Sequence, residues 1–135
     1  MSWDIYIQDL PPVASIADIP ADFRPQPIGE RASMIARIME AVPFAELQDD
    51  SYLFVRTDEI DLSISFSLDP DTQRLMSIAV HVHGGERSPA CVAAIVRSTG
   101  LRALDTGTSE FFDADAPEHG FALWAEYRDR VLRQH

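Results

Sequence analysis

With 135 residues, 46% hydrophobic and 24% charged, the chain fits one soluble globular domain, large enough to bury about two-thirds of the surface its unfolded form exposes. Its 22 acids against 11 bases give a net charge of −11, which argues against nonspecific nucleic-acid binding and against an anionic membrane surface, and which steers a basic partner toward it. A single cysteine excludes an internal disulfide, and no run approaches the ~20 apolar residues of a membrane span.

The N-terminus, Met1-Ser2-Trp3-Asp4-Ile5-Tyr6-Ile7, lacks a charged region followed by a long apolar stretch, so the expected compartment is the cytoplasm. Trp3 to Gln8, with aromatic and β-branched residues, reads as a first strand. Prolines at 11, 12, 20, 25 and 27 make the next stretch an extended connection. It carries Val13, Ile16, Ile19 and Phe23, too many apolar residues for a solvated linker, and is expected to pack along the domain edge. Ile28 to Val42 reads as a helix with Ile28, Ile35, Ile38, Met39 and Val42 on one face, ended by Pro43. Phe44 to Asp50 is a connection, Tyr52 to Arg56 a strand, and Thr57-Asp58-Glu59 a turn.

The strongest signal follows. Ile60, Leu62, Ile64, Phe66 and Leu68 alternate with Asp61, Ser63, Ser65 and Ser67. After Asp69-Pro70-Asp71-Thr72 the alternation resumes, with Met76, Ile78, Val80 and Val82 against Ser77, Ala79, His81 and His83. A period of two marks half-buried strands with one core face and one polar face. Gly84 and Gly85 end the second strand. Ser88-Pro89 opens a helix with the hydroxyl as N-cap, and Gly100 is its C′ residue. Cys91, inside that apolar helix with nothing basic close by, is a buried structural thiol. Leu101 to Asp105 is a short strand, and Phe111 and Phe112 return as core or as a strand end. Asp115 with Glu118 resembles a capping box opening a last helix from Ala116 to about Arg133.

The order β-α-β-β-β-α-β-α predicts a single α+β domain of two layers, residues 1–135. A mostly antiparallel sheet would carry helices mainly on one face. The strands at 74–83 and 101–105 are joined by a helical crossover and could run parallel in one sheet. The sequence leaves open whether the last helix covers the polar face or docks on a second subunit.

His81 and His83 stand on the same face, as in His-x-His metal sites. Matching the apolar faces places Phe66 opposite Met76 or Arg74. The first register sets Asp61 against His81 and Glu59 against His83; the second sets Glu59 against His81. Either brings an acid to an imidazole. The functional reading is a divalent-metal site of His81, His83, Asp61 and Glu59 activating water for hydrolysis. The plain reading is an exposed acid–histidine pair worth at most about 1 kcal/mol. The row Ser63, Ser65, Ser67 offers no nucleophile by itself, because a serine needs an adjacent base and a strained elbow that a regular strand lacks. Gly84-Gly85-Glu86-Arg87 lacks the phosphate-loop lysine, and the pairs Asp49-Asp50, Asp69-x-Asp71 and Asp113-x-Asp115 lack the rest of a calcium loop. His119 and the terminal His135 have no ligand spacing. Trp3, Tyr6, Trp124 and Tyr127 are core aromatics, or the lining of a small-ligand pocket.

Three stretches carry a resemblance. They are Met1-Ser2-Trp3-Asp4 with Gln8-Asp9-Leu10-Pro11; Ala17-Asp18-Ile19-Pro20-Ala21-Asp22-Phe23-Arg24-Pro25; and Gly100-Leu101-Arg102-Ala103-Leu104-Asp105 with Glu110-Phe111-Phe112. Together with Val82-His83-Gly84-Gly85 the chain resembles a family of small bacterial proteins of unknown function. The resemblance implies a bacterial, single-domain, cytoplasmic protein and brings no catalytic residues with it. The leading expectation is therefore a non-enzymatic protein-binding or regulatory module without a cofactor. It would recognise another, basic protein through the polar sheet face around Ser63, Ser65, His81 and His83, or through the proline-rich edge; an immunity-type inhibitor of a basic toxin is one version. The alternative is the metal-dependent hydrolase.

Overall fold

The computed structural model describes residues 1–49 and 51–134; Asp50 of the Asp49–Asp50 pair and His135 lie outside the described residues. Among the described residues the elements are β1 (Trp3–Gln8), α1 (Arg31–Ala41), β2 (Glu46–Gln48), β3 (Tyr52–Arg56), β4 (Asp61–Leu68), β5 (Leu75–Gly84), α2 (Ser88–Thr99), β6 (Ala103–Asp105), β7 (Glu110–Phe111) and α3 (Glu118–Arg133), with one 3-10 turn at Ile16–Asp18. The strands form one sheet in the order β2-β3-β4-β5-β1-β6-β7, every pairing antiparallel. This is an α+β fold. β5 and β6 do run in the same direction, as the crossover suggested, but β1 lies between them.

The alternation of each strand decides which face meets the helices. Ile5, Val80, Ile64 and Leu53 form one cross-strand row, and Trp3, Val82, Leu62 and Val55 the next; all are buried. Met34, Ile35 and Ile38 of α1, Val92, Ile95 and Val96 of α2 and Trp124 of α3 join the same core cluster. Three helices therefore cover one sheet face. Each fully buried Ile, Leu or Val there contributes about 1.5–3 kcal/mol. α3 packs on this side, against Trp3 through Phe121, and leaves the polar face without a helix. The connection between β1 and α1 is held at the β6–β7 edge: the Arg102 guanidinium donates to Pro11 O (2.7 Å) and Val13 O (2.9 Å) and lies 3.6 Å from the Phe111 ring centre.

Several element ends differ from the sequence reading. Gly100 closes α2 in the left-handed conformation (φ 69°), as expected, but Ser88 is not the cap. Its buried hydroxyl donates to Gly84 O (2.6 Å) and accepts from the Asp61 N–H (3.2 Å), so it ties the mouth of β4–β5 to α2. The capping box at Asp115 does not form: α3 starts at Glu118, and the Asp115 carboxylate pairs with Arg97 instead. β2 lies where a plain connection was expected; its residues are all exposed, so no buried alternation announces it. α3 also meets the sheet closely at Gly120. A Cβ there would overlap Asp105 Oδ2 and stand 3.2 Å from Trp3 Nε1.

The β4–β5 register is neither of those expected. Phe66 faces Ile78 and Ser63 faces His81, two residues along from the first alternative. The turn is longer than Asp69–Thr72: Asp69 N–H reaches Arg74 O (2.8 Å), and Gln73 takes φ 60°. Register shifts at both ends insert Met76 and His83 as extra residues of β5.

Candidate functional site

The polar face is built by the same alternation that makes the core. Asp4, Tyr6 and Gln8 of β1 lie on it, with Ser63, Ser65 and Ser67 of β4 and Ala79 and His81 of β5. Register then fixes neighbours. Asp4 is directly opposite His81 on one side, and Ser63 directly opposite it on the other; Ser65 sits one pair further, opposite Ala79.

The metal constellation does not assemble. The shift at His83 sets Asp61 against Gly84, not against His81, and leaves His83 exposed at the strand end with no cross-strand partner on β4. Glu59, exposed in the turn, pairs with Arg87 (3.3 Å). Among the described residues no group of three or more His, Cys, Asp or Glu side chains is placed to hold a metal ion. The acid that meets a histidine comes from β1: Asp4 Oδ1 is 2.8 Å from His81 Nδ1.

That contact orders the imidazole. A carboxylate only accepts, so Nδ1 carries the hydrogen, and in the neutral ring Nε2 is left as the acceptor. Ser65 Oγ stands 3.5 Å from Nε2 and can donate to it. Ser2 Oγ donates to the same oxygen, Asp4 Oδ1 (2.6 Å), so that one oxygen accepts from both the hydroxyl and the imidazole. The side chains of Asp4 and His81 keep 29% and 30% of their exposure, so the chain Asp4–His81–Ser65 is half-buried and reachable from solvent. Tyr6 stands edge-on to the imidazole, ring centres 6.5 Å apart, over the small Ala79. An imidazole does stand beside a serine of a regular strand here, because it arrives from the neighbouring strand. Ser63, though directly across from His81, is not the serine that meets Nε2.

The rest of the face is mixed aromatic and polar. Tyr52 and Phe54 of β3 lie across from Ser65 and Ser63, with the Arg56 guanidinium 5.0 Å from the Phe54 ring centre. Leu104 and Phe111 extend the row beyond Tyr6. The aromatics once grouped together divide. Trp3 is buried in the core and Tyr6 is on the open face, while Trp124 and Tyr127 line a surface cavity of about 380 Å³ with Met1, Ser2, Gly107 and Leu123. Cys91 is buried as expected, and burial pushes its thiol up to about 11, so it is not a nucleophile at neutral pH. No described helix is long and apolar enough to cross a membrane.

Sequence reasoning missed Asp4. Its alternation with Trp3 and Ile5 put it on a polar face, but nothing local says that β1 lies beside β5. No family model, no curated protein and no solved structure matches the chain. The resemblance to small bacterial proteins rests on its quoted segments alone.

Proposed function

We propose that the protein is a recognition module for another, basic protein, and that the uncovered sheet face is its docking surface. The observation that carries this reading is the one-sided layering. All three helices pack on one face of a seven-stranded sheet, and the opposite face presents Tyr6, Tyr52, Phe54, Ser63, Ser65 and His81 partly exposed. A sheet is a rigid, twisted platform. Tyrosine and phenylalanine on it give large contact area at little cost in side-chain entropy, and the serines give adaptable hydrogen bonds. The net charge of −11 supports a partner of opposite sign, whose association would weaken as salt rises. An immunity-type role, neutralising a basic toxin, is one form of this reading.

The test is photo-crosslinking in the cells that make the protein. A crosslinking residue at Ser67, on the open face, is compared with one at Glu126, on the exposed side of α3. The reading expects one basic protein captured from position 67 and not from 126, with capture lost in Ala79→Arg. Equal capture at both positions, or capture unaffected by Ala79→Arg in a folded variant, refutes it.

A further inference from the structure

We propose that Ser65 is a nucleophile that accepts acyl groups from activated esters, with His81 as its general base and Asp4 as the residue that positions His81. This is independent of the recognition reading: it concerns the chemistry of three side chains, not the area around them.

Two requirements of an activated serine, a base within reach and a group that orients it, are met by side chains of three strands; the strained elbow is not, because Ser65 is mid-strand. The nucleophile and base are within reach, Ser65 Oγ to His81 Nε2 at 3.5 Å, the looseness common in a site without substrate. The base is oriented by a third group, His81 Nδ1 to Asp4 Oδ1 at 2.8 Å, which holds the tautomer that leaves Nε2 free to take a proton. That third group is itself held, by Ser2 Oγ at 2.6 Å. β4, β5 and β1 are adjacent interior strands, so the three side chains stand on a rigid platform.

The step balances without an external reagent. Ser65 Oγ adds to the ester carbonyl carbon as its proton passes to His81 Nε2. The tetrahedral adduct collapses, the bond from carbon to the leaving oxygen breaks, and that oxygen takes the proton from Nε2. Acyl-Ser65 and a free alcohol result. Water, giving its proton to the same nitrogen, then adds to the acyl carbon; the bond from that carbon to Ser65 Oγ breaks, Oγ takes the proton back from Nε2, and a carboxylic acid is released. Nothing is oxidised or reduced.

The platform also sets the substrate class. Ser65 is mid-strand, paired with Tyr52 on one side and Ala79 on the other, so its N–H belongs to the sheet ladder and is not aimed at a reacting carbonyl. Without a backbone oxyanion hole the site loses a contribution worth about 10²–10³ in rate. Esters with good leaving groups, phenyl esters and thioesters, need that help least; amides need it most. The reaction expected is acylation of Ser65 by such donors with slow turnover.

The experiment treats the whole protein with a fluorophosphonate and, separately, with p-nitrophenyl acetate, following intact mass, the modified peptide and the rate. A single adduct on Ser65 is expected, absent in Ser65→Ala. His81→Gly should slow labelling about a hundredfold, the low end of general-base catalysis, with recovery in added imidazole. Asp4→Asn should slow it less and displace the profile of rate against pH, which a merely structural residue would not do. The proposal is overturned by a folded wild-type protein that gains no adduct at Ser65. It is equally overturned if Ser63, Ser65 and Ser67 are labelled alike, at a rate that ignores His81→Gly.

Discussion

Gly120→Ala sets helix propensity against packing, and the two give opposite signs. Gly120 lies in the first turn of α3, and alanine is favoured over glycine in a helix by about 0.8–1 kcal/mol. Propensity alone would therefore make the variant more stable. The structure says otherwise. The new Cβ would overlap Asp105 Oδ2 and come to 3.1 Å from its Cγ. That carboxylate is buried and cannot swing away freely, because it accepts from Trp3 Nε1 (2.9 Å), the Gly107 N–H (2.9 Å) and the Thr108 N–H (3.3 Å). A hydrogen bond to a charged group contributes about 1.5–3 kcal/mol, and forced overpacking costs about 1–3 kcal/mol. Losing one such bond outweighs the propensity gain. The expected net effect is a loss of about 2 kcal/mol, which for a chain of this size lowers Tm by roughly 6–8 °C. Urea and thermal unfolding followed by circular dichroism measure it, with tryptophan fluorescence in a Trp124→Phe background reporting the lost partner of Trp3. Ala122→Gly, at an exposed site of the same helix, is the control and should cost only the propensity, about 1 kcal/mol. A Gly120→Ala protein as stable as the parent, or more so, would refute the close approach of α3 to Asp105.

Ser88→Ala removes both the donor to Gly84 O and the acceptor for the Asp61 N–H, and should lower the urea midpoint by the equivalent of about 1–3 kcal/mol with an unchanged m-value. Cys91 should resist a disulfide reagent in the folded protein and react at once in denaturant. Its thiol is raised from 9.0 to about 11, so between those pH values the unfolded chain has lost a proton that the native one keeps. Stability should then fall as pH rises through that window, less steeply in Cys91→Ala, when unfolding is followed at successive pH values. Arg102→Ala removes the two hydrogen bonds that hold the chain at Pro11 and Val13. A broad-specificity protease should then cut between 9 and 27 about tenfold faster, with the rest of the domain intact by mass.

The elements that were legible from the sequence are those whose residues state a burial pattern. Trp3–Gln8 and Tyr52–Arg56 alternate strictly between core and surface, and both strands begin and end where that pattern does. α2 is bracketed by Pro89 and Gly100, whose backbone preferences are local facts. Register was not legible. Apolar faces match equally well at every even shift, and the six-residue turn with its two extra β5 residues chose between them. That choice moved Asp61 and Glu59 away from the histidines. It also brought Ser65 to one, a contact that depends on side chains from different strands. Asp4 was invisible for a deeper reason: its partner lies 77 residues on, and pairing over that distance leaves no trace in local periodicity. The caps failed where competition intervened. Asp115 found an arginine and Ser88 found two strands, each a better partner than its own helix end.

The place of β1 between β5 and β6 bears on how the chain is made. Trp3, Ile5 and Ile7 leave the ribosome long before their neighbours: Gln8 waits for Ser77 and Ile5 for Asp105. Before β5 emerges, the hairpins β2–β3 and β3–β4 can close on local contacts, while β1 has nowhere to go. Once β5 has emerged, its unoccupied side is the template on which β1 docks, and only then does β1 offer an edge to β6. Contacts of such long separation in sequence fold slowly. A nascent chain stalled before residue 75 therefore trails an apolar, strand-ready segment, a natural target for the chaperones that meet polypeptides at the exit tunnel.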